Sequence, residues 1–172
     1  MDLSLEAFKS LDIDPSTNVK WKQTNFYDLC CKSELFGCAF FTTIDKNLVN
    51  NRLEALSHIL QRFCDEIEGG FKFDLNWLQL HTFFHSEGYL CSYKSKASSV
   101  PDFLKSYREI IDKMPEYENF RITKNGSILK EFNLIEKSNI LQVESIIDDW
   151  NCRQHLLETE KEFIYFSWNT EV

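Results

Sequence analysis

The hydrophobic positions between residues 45 and 68 repeat every three or four residues, which is the spacing of one face of an α-helix. This apolar stripe consists of Val49, Leu53, Leu56, Leu60, Phe63 and Ile67. Asp45 is a suitable N-cap for the helix, and Gly69 suits the left-handed position that commonly follows the last turn. The sequence therefore predicts a long helix over 45–68 that packs against the core.

The same spacing predicts three further helices. Residues 3–11 form a short one. Another is predicted over 98–115, where Pro101 falls in the first turn and its missing N–H is harmless. Ser138 caps the last helix, whose buried face consists of Ile140, Val143, Ile147 and Trp150.

Two stretches are apolar at both odd and even positions, which is typical of strands covered on both faces. They are 35–44 (LFGCAFFTTI) and 163–168 (FIYFSW). Residues 120–132 place Asn125-Gly126 between two β-compatible runs, which is the strongest short hairpin signal in the chain.

A second hairpin is predicted over 71–96, where strict alternation shifts phase near Leu78. A helix over 75–84 is the alternative for this segment. Residues 12–33 show no clear period, and we expect an irregular segment there.

Helices and strands alternate along the chain, with no internal repeat and no linker rich in Pro, Gly or Ser. This pattern predicts a single α+β domain over 1–172, with a mixed or antiparallel sheet and about four helices packed on it. Hydrophobic residues make up 43% of the 172 residues and aromatic residues 15%, which is enough for a substantial core.

No apolar run approaches the roughly 20 residues that cross a bilayer. The first residues are acidic and lack the basic and apolar regions of a signal peptide. We therefore expect a cytoplasmic protein. In that reducing compartment the six cysteines are expected to be free, mostly buried thiols.

The sequence lacks the common signatures of enzyme active sites. Its five glycines form no phosphate-binding loop. Cys152 lies three residues before His155, but the neighbouring Asp148 and Asp149 would oppose formation of a thiolate nucleophile. We therefore predict that the protein is not an enzyme and uses no cofactor.

His81, His85 and Cys91 have the spacing closest to that of a metal site. Histidines four residues apart share one face of a helix and could bind zinc together. Zinc would need a further ligand, and no Cys-x-x-Cys pair is present to supply one. The alternative is a pair of histidines at the mouth of a hairpin, and no metal is predicted.

The net charge of −8 argues against binding to nucleic acid or to an anionic membrane surface, both of which require clustered Lys and Arg. Solubility alone is one explanation of this charge, and docking to a basic protein partner is the other. The acids are unevenly distributed, since the chain from Glu144 onward carries seven of them against Arg153 and Lys161.

A second acidic cluster falls at the end of the long predicted helix, where the helix dipole disfavours negative charge. Residues that break a local rule in this way are candidates for function. Acidic rims around aromatic anchors suit a tight interface with a basic protein. The predicted partner-binding residues are Asp65, Glu66, Glu68, Asp148, Asp149, Trp150, Glu158, Glu160 and Trp168.

The chain is small and acidic, is rich in Phe, Asn, Ile and Lys, has few glycines and closes on an aromatic strand (EFIYFSWNT). In these features it resembles bacterial immunity proteins of contact-dependent growth inhibition and related polymorphic toxin systems. The resemblance implies a stoichiometric inhibitor that covers the active site or substrate groove of a cognate toxin, often a basic nuclease. The alternatives are an adaptor or effector domain with another partner, and an enzyme of another class.

Overall fold

The computed structural model describes residues 1–32, 37–67, 76–90 and 92–170. Within these ranges the helices are α1 (Leu5–Lys9), α2 (Arg52–Ile67), α3 (Trp77–Ser86) and α4 (Val100–Ile111). The strands are β1 (Asn25–Cys30), β2 (Cys38–Asp45), β3 (Lys96–Ser98), β4 (Arg121–Lys124), β5 (Ser127–Ile128), β6 (Ile140–Asp148), β7 (Cys152–Thr159) and β8 (Glu162–Asn169). None of the helices in these ranges is long and apolar enough to cross a membrane.

The strands form one antiparallel sheet in the order β3-β6-β7-β8-β2-β1-β4-β5. The α+β class with an antiparallel sheet, predicted from the sequence, is confirmed. Helices α1, α2 and α3 cover one face of the sheet, and α4 with the segment that follows it covers the other.

Strands β2 and β8 lie side by side near the middle of the sheet and are buried on both faces, as their apolar runs predict. In β8, Phe163 and Tyr165 point toward α2, while Ile164 and Phe166 point toward α4. Residues 35 and 36 of the first predicted strand lie outside the described residues. Two hydrophobic cores therefore share this central pair of strands.

Helix α2 begins later than the predicted position 45. The Asn51 side chain accepts the Glu54 N–H at 2.9 Å, as an N-cap does, and the Glu54 carboxylate accepts the Asn50 N–H at 2.8 Å. These two bonds fix the start of the helix. Asp45 instead caps a short 3-10 turn by accepting the Asn47 N–H at 2.8 Å. Gly69, predicted as the C-terminal cap, lies outside the described residues.

The helix predicted after Ser138 is wrong, because this segment forms strand β6. Two irregularities interrupt its pairing with β7, between Ile140 and Gln142 and between Ser145 and Ile147. Each irregularity shifts by one residue the alternation of side chains between the two faces of the sheet. The resulting apolar spacing imitates the three-to-four spacing of a helix.

The hairpin predicted over 71–96 is wrong in its described part, and the helix over 75–84, the alternative for this segment, is confirmed. Trp77–Ser86 is helix α3, which Asn76 caps in a reciprocal arrangement with Gln79. Residues 71–75 lie outside the described residues. The hairpin around Asn125-Gly126 is confirmed as β4 and β5, and Ser99 with Pro101 starts α4 as predicted.

A disulfide joins Cys30 on β1 to Cys38 on β2, which contradicts the expectation that all the cysteines are free. The two residues are direct cross-strand partners, and their Cα atoms are 4.4 Å apart. That separation is compatible with a bridge. The sequence does not reveal this pairing because β1 falls in a segment without a clear hydrophobic period.

His155 on β7 is buried between aromatic rings, with ring centroids 5.3 Å from Phe103 and 6.2 Å from Phe166. Neither of its ring nitrogens has a hydrogen-bond partner among the described residues. Burial lowers the pKa of this imidazole to about 4. The ring is therefore neutral in the folded protein at physiological pH.

Truncation of the α2 stripe tests whether the helix belongs to the core. Leu56→Ala or Leu60→Ala should destabilise the protein by about 2–5 kcal/mol, because both side chains are fully buried and each truncation leaves a cavity. Denaturant unfolding measures the change. Leu78→Ala, at an exposed position of α3, is the control and should change stability by less than about 0.5 kcal/mol. Equal midpoints for all three variants would contradict this packing.

Reduction of the Cys30–Cys38 bridge should lower the melting temperature. The cysteines are eight residues apart, and opening a loop of that size removes about 2.5 kcal/mol of unfolded-state constraint, or about 5–10 °C. A thermal melt with and without a dithiol measures the shift. The Cys30→Ser/Cys38→Ser variant should melt at the lower temperature under both conditions, and an unchanged wild-type melt would contradict the bridge.

Acidification should destabilise the protein through His155. The unfolded imidazole takes up a proton near pH 6.5 and the folded one only near pH 4. The stability associated with the neutral ring is therefore complete above about pH 6.5 and declines by about 3 kcal/mol as the pH falls to about 4. His155→Phe should remove this part of the pH dependence. Urea unfolding of both proteins at pH 7.5 and pH 4.5 gives the comparison, and parallel losses of stability would contradict it.

Candidate functional site

The turn between β6 and β7 carries an exposed tryptophan beside two acidic residues. The Asp149 N–H donates to the Cys152 carbonyl at 2.9 Å, and the Asp149 carboxylate accepts the Trp150 N–H at 2.7 Å. The Thr170 N–H donates to the Asn151 carbonyl at 3.0 Å. These bonds fix the backbone of the turn, while 70% of Trp150 remains exposed.

Arg153 anchors this turn to helix α4. Its guanidinium donates to the Ser106 carbonyl at 3.0 Å and to the Ser106 hydroxyl at 2.6 Å. It also stacks 5.6 Å above the ring of Trp168 and lies within ion-pair distance of Glu109 and Asp148. The turn is thus a supported feature of the surface, and its charge remains negative because the acids outnumber this one arginine.

Glu158, another predicted partner-binding residue, is engaged within the protein. Its two carboxylate oxygens lie 2.6 Å from Lys46 Nζ and 2.6 Å from Arg52 Nε. Burial acts to raise the pKa of Glu158, but the hydrogen bonds from Lys46 and Arg52 outweigh it and lower the pKa below its ordinary value. Glu158 therefore helps to fasten the start of α2 to the sheet.

The same network extends to the buried Glu144 on β6. Arg52 Nη1 lies 3.5 Å from its carboxylate, and the Ser95 hydroxyl donates to it at 2.5 Å. The amino group of Met1 lies 3.5 Å from the second oxygen. Glu144 thus connects the N-terminus, α2 and the segment before β3, which is a structural use of an acid.

The acids at the end of α2 lie on a different element from the acids of the β6–β7 turn. Glu66 pairs with Arg62, one helical turn earlier, and Arg62 also donates to the Asn125 side chain at 3.3 Å. Asp65 is half-buried, and Glu68 lies outside the described residues. The Arg62 charge offsets the unfavourable position of Glu66 near the negative end of the helix dipole.

Glu160 and Trp168 complete the predicted set. Glu160 is exposed in the turn after β7 and accepts a hydrogen bond from Asn139 at 2.9 Å. It lies at the opposite end of β7 from the Trp150 turn, about 25 Å away along an eight-residue strand. Trp168 is only 4% exposed, so its indole contributes to the core beneath Arg153.

The structure therefore brings together Asp148, Asp149 and Trp150, and separates them from Glu158 and Glu160. Sequence reasoning missed the role of Arg153 in holding the turn. A basic residue just after an acidic turn is the only signal in the sequence, and it does not indicate which helix the side chain reaches.

The histidine pair weighed as a zinc site lies on α3. The rings of His81 and His85 are 4.6 Å apart, and His81 Nε2 is 2.9 Å from the Leu3 carbonyl oxygen. Because His81 Nε2 donates to that carbonyl, this nitrogen is not available as a ligand. Cys91 lies outside the described residues, and no third ligand within the described ranges joins the pair as a close group.

Comparison with known proteins gives no match to a protein-family model, to a curated protein or to a solved structure.

Proposed function

We propose that the protein binds a basic protein partner through the turn formed by Asp148, Asp149 and Trp150, and that it acts by stoichiometric binding rather than by catalysis. The observation that carries this proposal is the exposure of Trp150 on a turn whose backbone is fixed by hydrogen bonds. A tryptophan held in this way can bury a large area on a partner with little loss of conformational entropy.

The charges around Trp150 favour a partner of opposite sign. Asp148 and Asp149 are exposed, and two carboxylates against the single Arg153 leave the turn negative, so the turn can steer a basic surface toward itself. Arg153 is directed toward α4 by its bonds to Ser106. The arginine therefore supports the turn, and only 17% of its side chain is exposed.

The more specific form of the proposal is an immunity protein that neutralises a cognate toxin. It rests on the resemblance in composition and charge to immunity proteins of contact-dependent inhibition systems, in which the inhibitor covers a basic active site or groove. An acidic turn with a central aromatic residue has the chemistry that such a groove would recognise.

The test uses the product of the reading frame that precedes this gene, since a toxin is expected there. Trp150→Ala should weaken binding by about 30-fold, the effect expected for an interface hot spot, without lowering the melting temperature. Leu141→Ala on β6 removes another exposed apolar side chain and is the matched control, for which affinity should be unchanged. Calorimetric titration gives both affinity and stoichiometry.

The contribution of charge is tested with Asp148→Asn/Asp149→Asn at low and high ionic strength. This variant should bind more slowly and lose much of the salt dependence of the association rate. Glu6→Gln/Asp12→Asn removes the same charge from exposed positions near α1 and should retain the wild-type rate. Full affinity for both Trp150→Ala and the double Asp variant would overturn the proposed surface.

The toxin assignment is tested separately by coexpression. Cells that produce the neighbouring gene product should survive only when this protein is present, and the Trp150→Ala variant should protect them less well. A product that is bound tightly but is harmless without this protein would overturn the immunity assignment and favour an adaptor.

A further inference from the structure

A group of ligand-type side chains lies on the α2 face of the sheet, away from the Trp150 turn. Asp28 and Cys30 are two residues apart on β1 and therefore share a face, and Cys38 is the direct partner of Cys30 on β2. The carboxylate oxygen and the two sulfur atoms all lie within 4.8 Å of one another. All three residues are half-buried.

The Asp28 carboxylate lies against the sulfur of Cys30. Asp28 Oδ1 lies 2.8 Å from Cys30 Sγ. A disulfide sulfur has no proton to donate. Asp28 therefore accepts a hydrogen bond from Cys30 only when Cys30 is a thiol, and shares a bound cation with Cys30 only when Cys30 is a thiolate. The carboxylate is thus placed to act with the reduced cysteines.

We propose that Asp28, Cys30 and Cys38, with both cysteines reduced, bind a thiophilic divalent cation such as Zn²⁺. Cysteine thiolates and aspartate carboxylates are both zinc ligands, and a three-residue set leaves the fourth tetrahedral position to water or another ligand. Arg121, the cross-strand partner of Cys30 on β4, carries one further positive charge. The ion, the arginine and the three anionic ligands together are neutral.

Occupation of this site is coupled to reduction of the bridge. A dithiol reductant supplies two electrons, the S–S bond breaks, two thiols form, and the reductant closes to its own disulfide. Binding of the cation then releases both thiol protons to solvent. The oxidised protein lacks the thiolates, so it has no soft ligands at this site.

The experiment titrates the reduced full-length protein with Co²⁺ under anaerobic conditions and then adds Zn²⁺. Thiolate coordination should give a sulfur-to-cobalt charge-transfer absorption at one equivalent, and Zn²⁺ should abolish it. Asp28→Asn should weaken Co²⁺ binding at least about tenfold, since removal of a direct ligand should cost no less than loss of an outer-shell partner. The oxidised wild-type protein should show no such absorption.

Cys31→Ser is the matched control. Cys31 follows Cys30 in sequence but belongs to the opposite core, where its thiol contacts the Gly37 carbonyl at 3.8 Å, so this variant should bind as the wild type does. Loss of the absorption in Cys30→Ser and in Cys38→Ser, with circular dichroism unchanged, supports the site. Equal Co²⁺ affinity of Asp28→Asn and wild type, or an absorption that persists in the oxidised protein, would overturn the proposed site. Neither result depends on whether the cysteine variants fold.

Discussion

The antiparallel pairing of β2 with β8 is the constraint on which the rest of the structure depends. Both strands bury side chains on their two faces, so helices must cover each face before either strand is stable. Helix α2 meets this requirement on one side with Leu56, Ile59 and Leu60, and α4 meets it on the other with Phe103 and Tyr107. Since both cores share these strands, a change in one core acts on the packing of the other.

The sequence predicted those parts of the fold in which one local signal dominates. The apolar runs gave β2 and β8, Asn125-Gly126 gave the β4–β5 hairpin, and Ser99 with Pro101 gave the start of α4. Prediction failed where the signal was ambiguous, as in β6, whose bulges imitate a helical period. The prediction also missed β1 and β7. Both strands mix polar with apolar residues, so neither shows a clear hydrophobic period.

The candidate site was predictable in composition but not in arrangement. The acids and tryptophans could be named from the sequence, yet whether an acid faces solvent depends on which cation folds against it. Glu158 meets Lys46 and Arg52 from a segment about a hundred residues earlier, and no local pattern encodes that meeting. Trp150 and Trp168 differ for the same reason, because one lies on a turn and the other lies beneath Arg153.

The position of β8 in the sheet has a consequence for how the chain folds during synthesis. Thr42 on β2 pairs with Tyr165 on β8, so the central ladder joins segments that are more than 100 residues apart. The β1–β2 hairpin can form early, but its second edge stays open until β8 has left the ribosome and inserts between β2 and β7. An open apolar edge of this kind is prone to aggregation, and the long loop closure slows folding. Until β8 pairs with it, the free edge of β2 is therefore exposed in the nascent protein and can pair with a strand of another chain.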